Sequence, residues 1–206
     1  AGSLPVSPVT EETTLNWGQF LGNRGLEGVS DGKSPRSGNE LVLKWEFNIS
    51  AGTSDWAATP GTPIVAGEYT YCYIGEKLRK FRTEDGVQIA SSDAPGDAMF
   101  FINIVYGDGK VFVPRYSGGR SFLAAYDADT LKYLGRSESF SLGAQCEGQT
   151  LYHDGFVYLC SYGTPATFAC FRASDFQDEN ENIEPVWAFD TEDTDGFAAN
   201  TGAAFV

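Results

Sequence analysis

Few residues in this 206-residue chain have the types and spacing that catalysis demands. His153 is the only histidine, and it stands in a His-Asp-Gly turn signal between two apolar runs. One histidine in a turn builds no Ser-His-Asp or Cys-His set. Cys72, Cys146, Cys160 and Cys170 contain no CxxC pair and no companion histidine cluster, which argues against zinc. Cys160 and Cys170 lie on consecutive strands of one expected hairpin. If they face each other, their Cα atoms fall within the roughly 4.4–6.8 Å that a disulfide needs, although buried free thiols are the commoner state of isolated strand cysteines. Cys72 and Cys146 are expected to be unpaired. Residues 190–196, Asp-Thr-Glu-Asp-Thr-Asp-Gly, place Asp193 and Asp195 in a pattern similar to a calcium loop. Fitted to the EF-hand, however, the twelfth position is Gly202, where a bidentate Glu is required. Calcium at Asp193 and Asp195 is therefore set against a plain solvated acidic loop. Residues 177–182, Gln-Asp-Glu-Asn-Glu-Asn, read likewise as a solvated insertion. Asn48, Ile49 and Ser50 fit the short N-glycosylation pattern.

The elements that would position any site come from a repeat. Residues 62–86, 103–130 and 149–174 share one plan: a short apolar run, a Gly-bearing turn, a strand of alternating aromatic and β-branched residues, a second strand and a polar turn. The aromatics closing the third strand, Phe81, Tyr126 and Phe171, recur at a spacing of 45 residues. Gly67, Asp108-Gly109 and Asp154-Gly155 mark the first turn, where glycine supplies positive φ without steric cost. Fourth strands are expected at 87–90, 131–134 and 185–189. Four short strands per unit of this length, packed against neighbours on both faces, make the blade of a β-propeller. The expected class is all-β, with four-stranded antiparallel blades, three of them complete and the first and last partial.

Residues between blades would gather at the rim of a central channel. They include Asp55, Trp56, Phe100, Gln145, Glu147, Phe197 and Asn200. Aromatic platforms beside amides and carboxylates suit a sugar or peptide; the plainer reading packs these aromatics between blades or into the channel.

Composition narrows the partners. Twenty-four glycines, 14% aromatic and 42% hydrophobic residues describe a turn-rich globular β-protein and exclude disordered and fibrous classes. Against 28 acids stand 14 Lys and Arg, giving a net charge of −14. Nucleic acid, which is gripped through clustered Lys and Arg, is an unfavourable partner, and so is an anionic membrane surface. No apolar run reaches the ~18 residues of a spanning helix, so membrane insertion is not expected.

Residues 1–14 read as an exposed leader and 15–206 as the propeller. Residues 41–47, Leu-Val-Leu-Lys-Trp-Glu-Phe, read as a strand preceding the first unit, in the position of a fourth strand. Residues 200–206 read as the first strand of a further unit. Three full units fall short of a ring of about six to eight blades. The expectation is therefore a propeller truncated at the C-terminus, whose partners are the remaining blades of a longer polypeptide or a second copy of the chain.

Residues 17–23, 43–46 and 62–71, with the copies of the last, resemble the PQQ-like (quinoprotein-type) β-propeller repeat family over nearly everything after the leader. That family includes quinoprotein dehydrogenases and many secreted or surface-attached proteins. The resemblance implies a fold. Its enzymes bind pyrroloquinoline quinone with calcium, an Asp base, a stacking Trp and, in alcohol dehydrogenases, a disulfide between adjacent cysteines. This chain has no adjacent cysteine pair and no recognisable ligand set at the corresponding places. The resemblance thus implies a secreted, extracellular or cell-surface binding or adhesion scaffold with no catalytic residues and no cofactor of its own. The alternative is part of an enzyme, quinoprotein-like or hydrolase, whose catalytic groups lie in other blades.

Overall fold

The computed structural model describes residues 43–48, 61–97, 102–142, 150–161 and 166–190. Strands run β1 (Ile64–Ala66), β2 (Tyr69–Ile74), β3 (Lys77–Arg82), β4 (Gln88–Asp93), β5 (Val105–Gly107), β6 (Lys110–Ser117), β7 (Arg120–Asp127) and β8 (Tyr133–Ser137). They continue with β9 (Phe140–Leu142), β10 (Leu151–His153), β11 (Phe156–Cys160), β12 (Thr167–Arg172), β13 (Asn180–Ile183) and β14 (Trp187–Asp190). One 3-10 turn, Ala173–Asp175, follows β12.

Sequence neighbours pair as antiparallel hairpins into three propeller blades: β1-β2-β3-β4, β5-β6-β7-β8 and β10-β11-β12-β14. The hairpin turns explain why the units repeat. Asp108-Gly109 and Asp154-Gly155 hold positive φ at both central residues, the twist that lets a two-residue loop join strands without splaying them. Two residues past each closing aromatic, a backbone N–H reaches back to the first turn. Thr83 donates to Glu68 O (2.9 Å), Ala128 to Gly109 O (2.9 Å) and Ala173 to Gly155 O (2.8 Å). The same bond in each blade fixes the same register. Phe81, Tyr126 and Phe171 are thereby carried to equivalent, fully buried positions.

Each of those aromatics meets what precedes its blade. Phe81 stacks on Trp45 and meets Phe47 edge-on, Tyr126 donates to Asp93 O at 3.3 Å, and Phe171 lies 5.9 Å from Phe140. The opposite face of each blade looks forward. Tyr71 donates to Ala128 O (2.9 Å), and Phe112 packs edge-on against Phe176 (5.4 Å). Near the inner strands blades approach so closely that glycine is obligatory. A Cβ on Gly107 would sit 2.1 Å from the Tyr152 ring, and one on Gly61 2.0 Å from Ile102 O.

The structure corrects the sequence reading in four places. The middle sheet holds six strands, because β9 pairs with β7 and β13 pairs with β8. The acidic insertion is not simply solvated: it forms β13, which runs parallel to β8 of the preceding blade. Residues 43–48 are not in a strand; they hold the flank of the first blade through Trp45, whose Nε1 donates to Thr83 O (3.0 Å) and whose ring covers Gly86. The fourth strand of the second blade begins later than expected, since Leu131 still belongs to the turn, with φ 57° and its N–H on Asp127 O.

Candidate functional site

The described surface has a hollow of about 320 Å³ lined by Asp93, Ala94, Pro95, Tyr133 and Glu181. Three separate elements build it. Asp93 ends β4, and Ala94-Pro95 leads away from the first blade, because proline cannot extend a ladder that needs its N–H. Tyr133 opens β8, and Glu181 comes from β13, the segment that the third blade lends to the second. Ile183 is the anchor of that segment. It alone of the four β13 residues is buried, and backbone bonds flank it: Glu138 N donates to Ile183 O (3.0 Å) and Glu179 N to Leu134 O (2.9 Å).

The polar groups of the hollow are already engaged. Tyr133 donates its hydroxyl to Glu181 at 2.9 Å, and Arg136 pairs with the other oxygen of that carboxylate at 2.9 Å. Asp93 pairs with Lys77. Burial, and then the Glu181 carboxylate, push the Tyr133 hydroxyl well above its ordinary pKa. Tyr133 is therefore a hydrogen-bond donor and no base at neutral pH. The arrangement offers an aromatic edge, a proline ring and two carboxylates, which can accept hydrogen bonds from hydroxyl or amino groups.

Elsewhere in the blades the perturbed tyrosines and cysteines are also pushed toward their neutral forms, whereas hydrogen bonds from Val87 N and from Thr130 lower Asp85 and Asp127. Burial raises Cys72 and Cys160 to about 11, and it raises Tyr71 and Tyr126 further above the ordinary phenol range. Tyr152 is raised to about 12 by burial and by its hydrogen bond to Asp108. His153 sits at the end of β10 beside Asp154 (3.6 Å), in the turn where the sequence puts it.

Cys72, Cys160 and Cys170 are free thiols. The expected facing of Cys160 and Cys170 fails by two residues: Cys160 opposes Phe168, and Cys170 opposes Tyr158. The two cysteines share a face but stand diagonally, a separation of about 7–8 Å. The candidate rim residues Asp55, Trp56, Phe100, Gln145, Glu147, Phe197 and Asn200, the calcium candidates Asp193 and Asp195, and Cys146 lie outside the described residues. Sequence reasoning missed Glu181 because it stands in an acidic run. The available signal was Ile183, one apolar residue closing that run ahead of Glu184-Pro185.

Among the described residues no three His, Cys, Asp or Glu side chains converge as metal ligands, and no helix is long and apolar enough to cross a membrane.

No protein-family model matches the sequence, and no curated protein matches it. Among solved structures the chain is similar to the quinohemoprotein alcohol dehydrogenase ADHIIG from Pseudomonas putida HK5, with 18% identity and a TM-score of 0.60. The match covers 85% of this chain and 26% of that one, so the chain spans about a quarter of the enzyme it resembles. At that identity the likeness is one of fold: a PQQ-type β-propeller.

Proposed function

We propose that the chain is a non-catalytic β-propeller scaffold of the extracellular space or cell surface, which binds a carbohydrate or protein ligand and packs against further blades. The observation that carries this reading is the direction of the perturbed groups. Active sites shift pKa values toward the working pH, whereas here the tyrosines and cysteines between and within the blades are shifted away from it. They are inert packing. What remains for a partner is surface: the Tyr133 hollow, and exposed apolar side chains. Leu43, Val87 and Ile89 flank the first blade, and Val186, Trp187 and Phe189 flank the third. None of these belongs to the middle blade, which has a blade on each side. Further blades, from a longer polypeptide or a second copy, would cover both flanks.

A second reading is favoured by the fold likeness to a quinohemoprotein dehydrogenase: the chain is one arc of an enzyme whose catalytic groups lie in other blades. One experiment separates the two. The chain is titrated with pyrroloquinoline quinone and calcium by calorimetry and is screened on glycan and peptide arrays. Saturable glycan or peptide binding, with no quinone binding, is the expected result. Stoichiometric quinone binding accompanied by dye reduction with an alcohol would replace the scaffold reading by the enzyme one.

A further inference from the structure

At the seam between β8 and β13 a segment of the third blade serves as a strand of the second, and it is lightly held. Its pairing is parallel and breaks register between Asn180 and Ile183; parallel ladders are slightly less stable per residue. Asn180, Glu181 and Asn182 are exposed, so Ile183 is the strap's one buried side chain. Asp178 and Glu179, which lead into it, both hold left-handed backbone, with φ 56° and 59°. That conformation is costly for a residue with a Cβ, and release of the strap would relieve it.

The groups that receive the strap are held by the second blade itself. Gly135 leaves room for the Asn180 carbonyl, which a Cβ would approach to 2.3 Å. The Arg136 guanidinium lies 4.8 Å from the centre of the Phe122 ring, and the Tyr133 ring meets Tyr126 edge-on at 5.6 Å. Phe122 and Tyr126 are fully buried on β7, so the two groups that grip the Glu181 carboxylate keep their places without it. Two residues beyond Glu181, Ile183 joins the hydrophobic core.

A strand edge with a cation and a phenol for one carboxylate, and an apolar socket two residues further, has the parts of a strand-acceptor site. Main-chain bonds supply affinity there and alternate side chains supply specificity. We propose that the outer edge of β8 accepts an extended acidic segment of another protein, one carrying Glu and, two residues later, a branched aliphatic residue. Residues 178–184 fill this edge in cis, as an autoinhibitory strap. The strap displays the chemistry that the edge takes. Its tether sets the threshold, because a partner must outcompete a segment that never leaves the neighbourhood. The site stands apart from the scaffold reading: glycan or quinone binding elsewhere leaves it untouched.

The test is fluorescence anisotropy with a labelled peptide of residues 177–185 against the 206-residue chain and two variants. Ile183→Ser empties the edge by removing the strap's anchor. Gly135→Ala also loosens the strap but leaves a methyl where an added strand's carbonyl must lie. Saturable binding to the Ile183→Ser chain is expected, about tenfold or more tighter than to the unsubstituted chain or to Gly135→Ala. A peptide carrying Glu181→Gln should bind about tenfold more weakly, as loss of a charged hydrogen-bond acceptor implies. Equal binding to all three chains, or none to an Ile183→Ser chain that unfolds cooperatively in urea, would overturn the proposal. Hydrogen exchange on the unsubstituted chain decides the matter without any variant. Excess peptide should quicken exchange at Glu179, whose bond to Leu134 O belongs to the strap, and leave Glu138 protected, because the peptide then supplies its acceptor. Exchange at Glu179 unchanged at roughly millimolar peptide, the effective concentration of a short tether, would also overturn it.

Discussion

The forward face of the first blade and the forward face of the third are built from the same rungs and end in different surroundings. On the first, Tyr71 opposes Lys80, which opposes Ala90; on the third, Tyr158 opposes Cys170, which opposes Trp187. One step along, Leu78 and Ser92 of the first blade correspond to Phe168 and Phe189 of the third. The first face is closed by the second blade, with Tyr71 2% and Leu78 0% exposed. Lys80 is buried there too, its ammonium on Asp129 O at 3.0 Å and 3.9 Å from the Tyr69 ring centre. The third face gathers Tyr158, Phe168 and Trp187 into one aromatic cluster, with ring centres 6.1 and 5.1 Å from that of Trp187. Trp187 is still 42% and Phe189 62% exposed. A blade's fourth strand therefore carries small residues where a neighbour is already in place and large aromatics where the surface is open. Burial of such rings is a main source of interface energy.

The sharpest way to break the comparison is to truncate equivalent tyrosines. Tyr71→Ala removes a buried ring and its hydrogen bond to Ala128 O, and is expected to lower stability by about 3–5 kcal/mol. Tyr158→Ala, on a half-buried rung, is expected to lower it by about 1 kcal/mol. Urea unfolding of both variants checks the ratio; equal losses would mean that the two faces are closed alike.

The next effect concerns the strap that joins the second and third blades. Gly135 has φ 136°, and a Cβ there would lie 2.3 Å from Asn180 O. Gly135→Ala should detach β13 and destabilise by about 1–3 kcal/mol. Hydrogen exchange should then quicken at Glu138 and Glu179, whose N–H groups bond across that seam, and stay unchanged at Thr83 in the first blade.

Alkaline pH acts on the packed thiols and phenols together. Burial raises Cys72 and Cys160 from 9.0 to about 11 and Tyr152 from 10.0 to about 12. A folded pKa above the unfolded one means that unfolding favours deprotonation, so the stability is fully present below pH 9 and is lost as pH rises through 11 and 12. Urea midpoints should be flat from pH 7 to 9 and fall steeply above it. A midpoint independent of pH up to 12 would contradict the burial of these groups.

The smallest effect is expected at Lys132, whose pair with Glu179 at 3.1 Å is exposed on both sides. Lys132→Ala should change stability by less than about 0.5–1 kcal/mol, because an ion pair in water gains little.

How much of this was legible follows from which interactions are local. The 45-residue spacing of Phe81, Tyr126 and Phe171 reports a repeated hairpin, so the three described blades and the order of their main strands could be read directly. The partner of β13 could not, because its pairing with β8 spans two blades and its sequence resembles a solvated acidic loop. The offset of Cys160 and Cys170 was equally hidden: a hairpin's register depends on its connection, and the sequence alone does not show how residues 161–166 turn.

The central claim is that the open aromatic flank of the third blade is a docking face. Sedimentation equilibrium compares the 206-residue chain with a Trp187→Ser, Phe189→Ser double variant over a range of concentrations. The expected result is reversible association of the unsubstituted chain, reduced at least tenfold in the double variant with its unfolding midpoint little changed. A monodisperse monomer for both at every concentration, with cooperative unfolding, would contradict the claim.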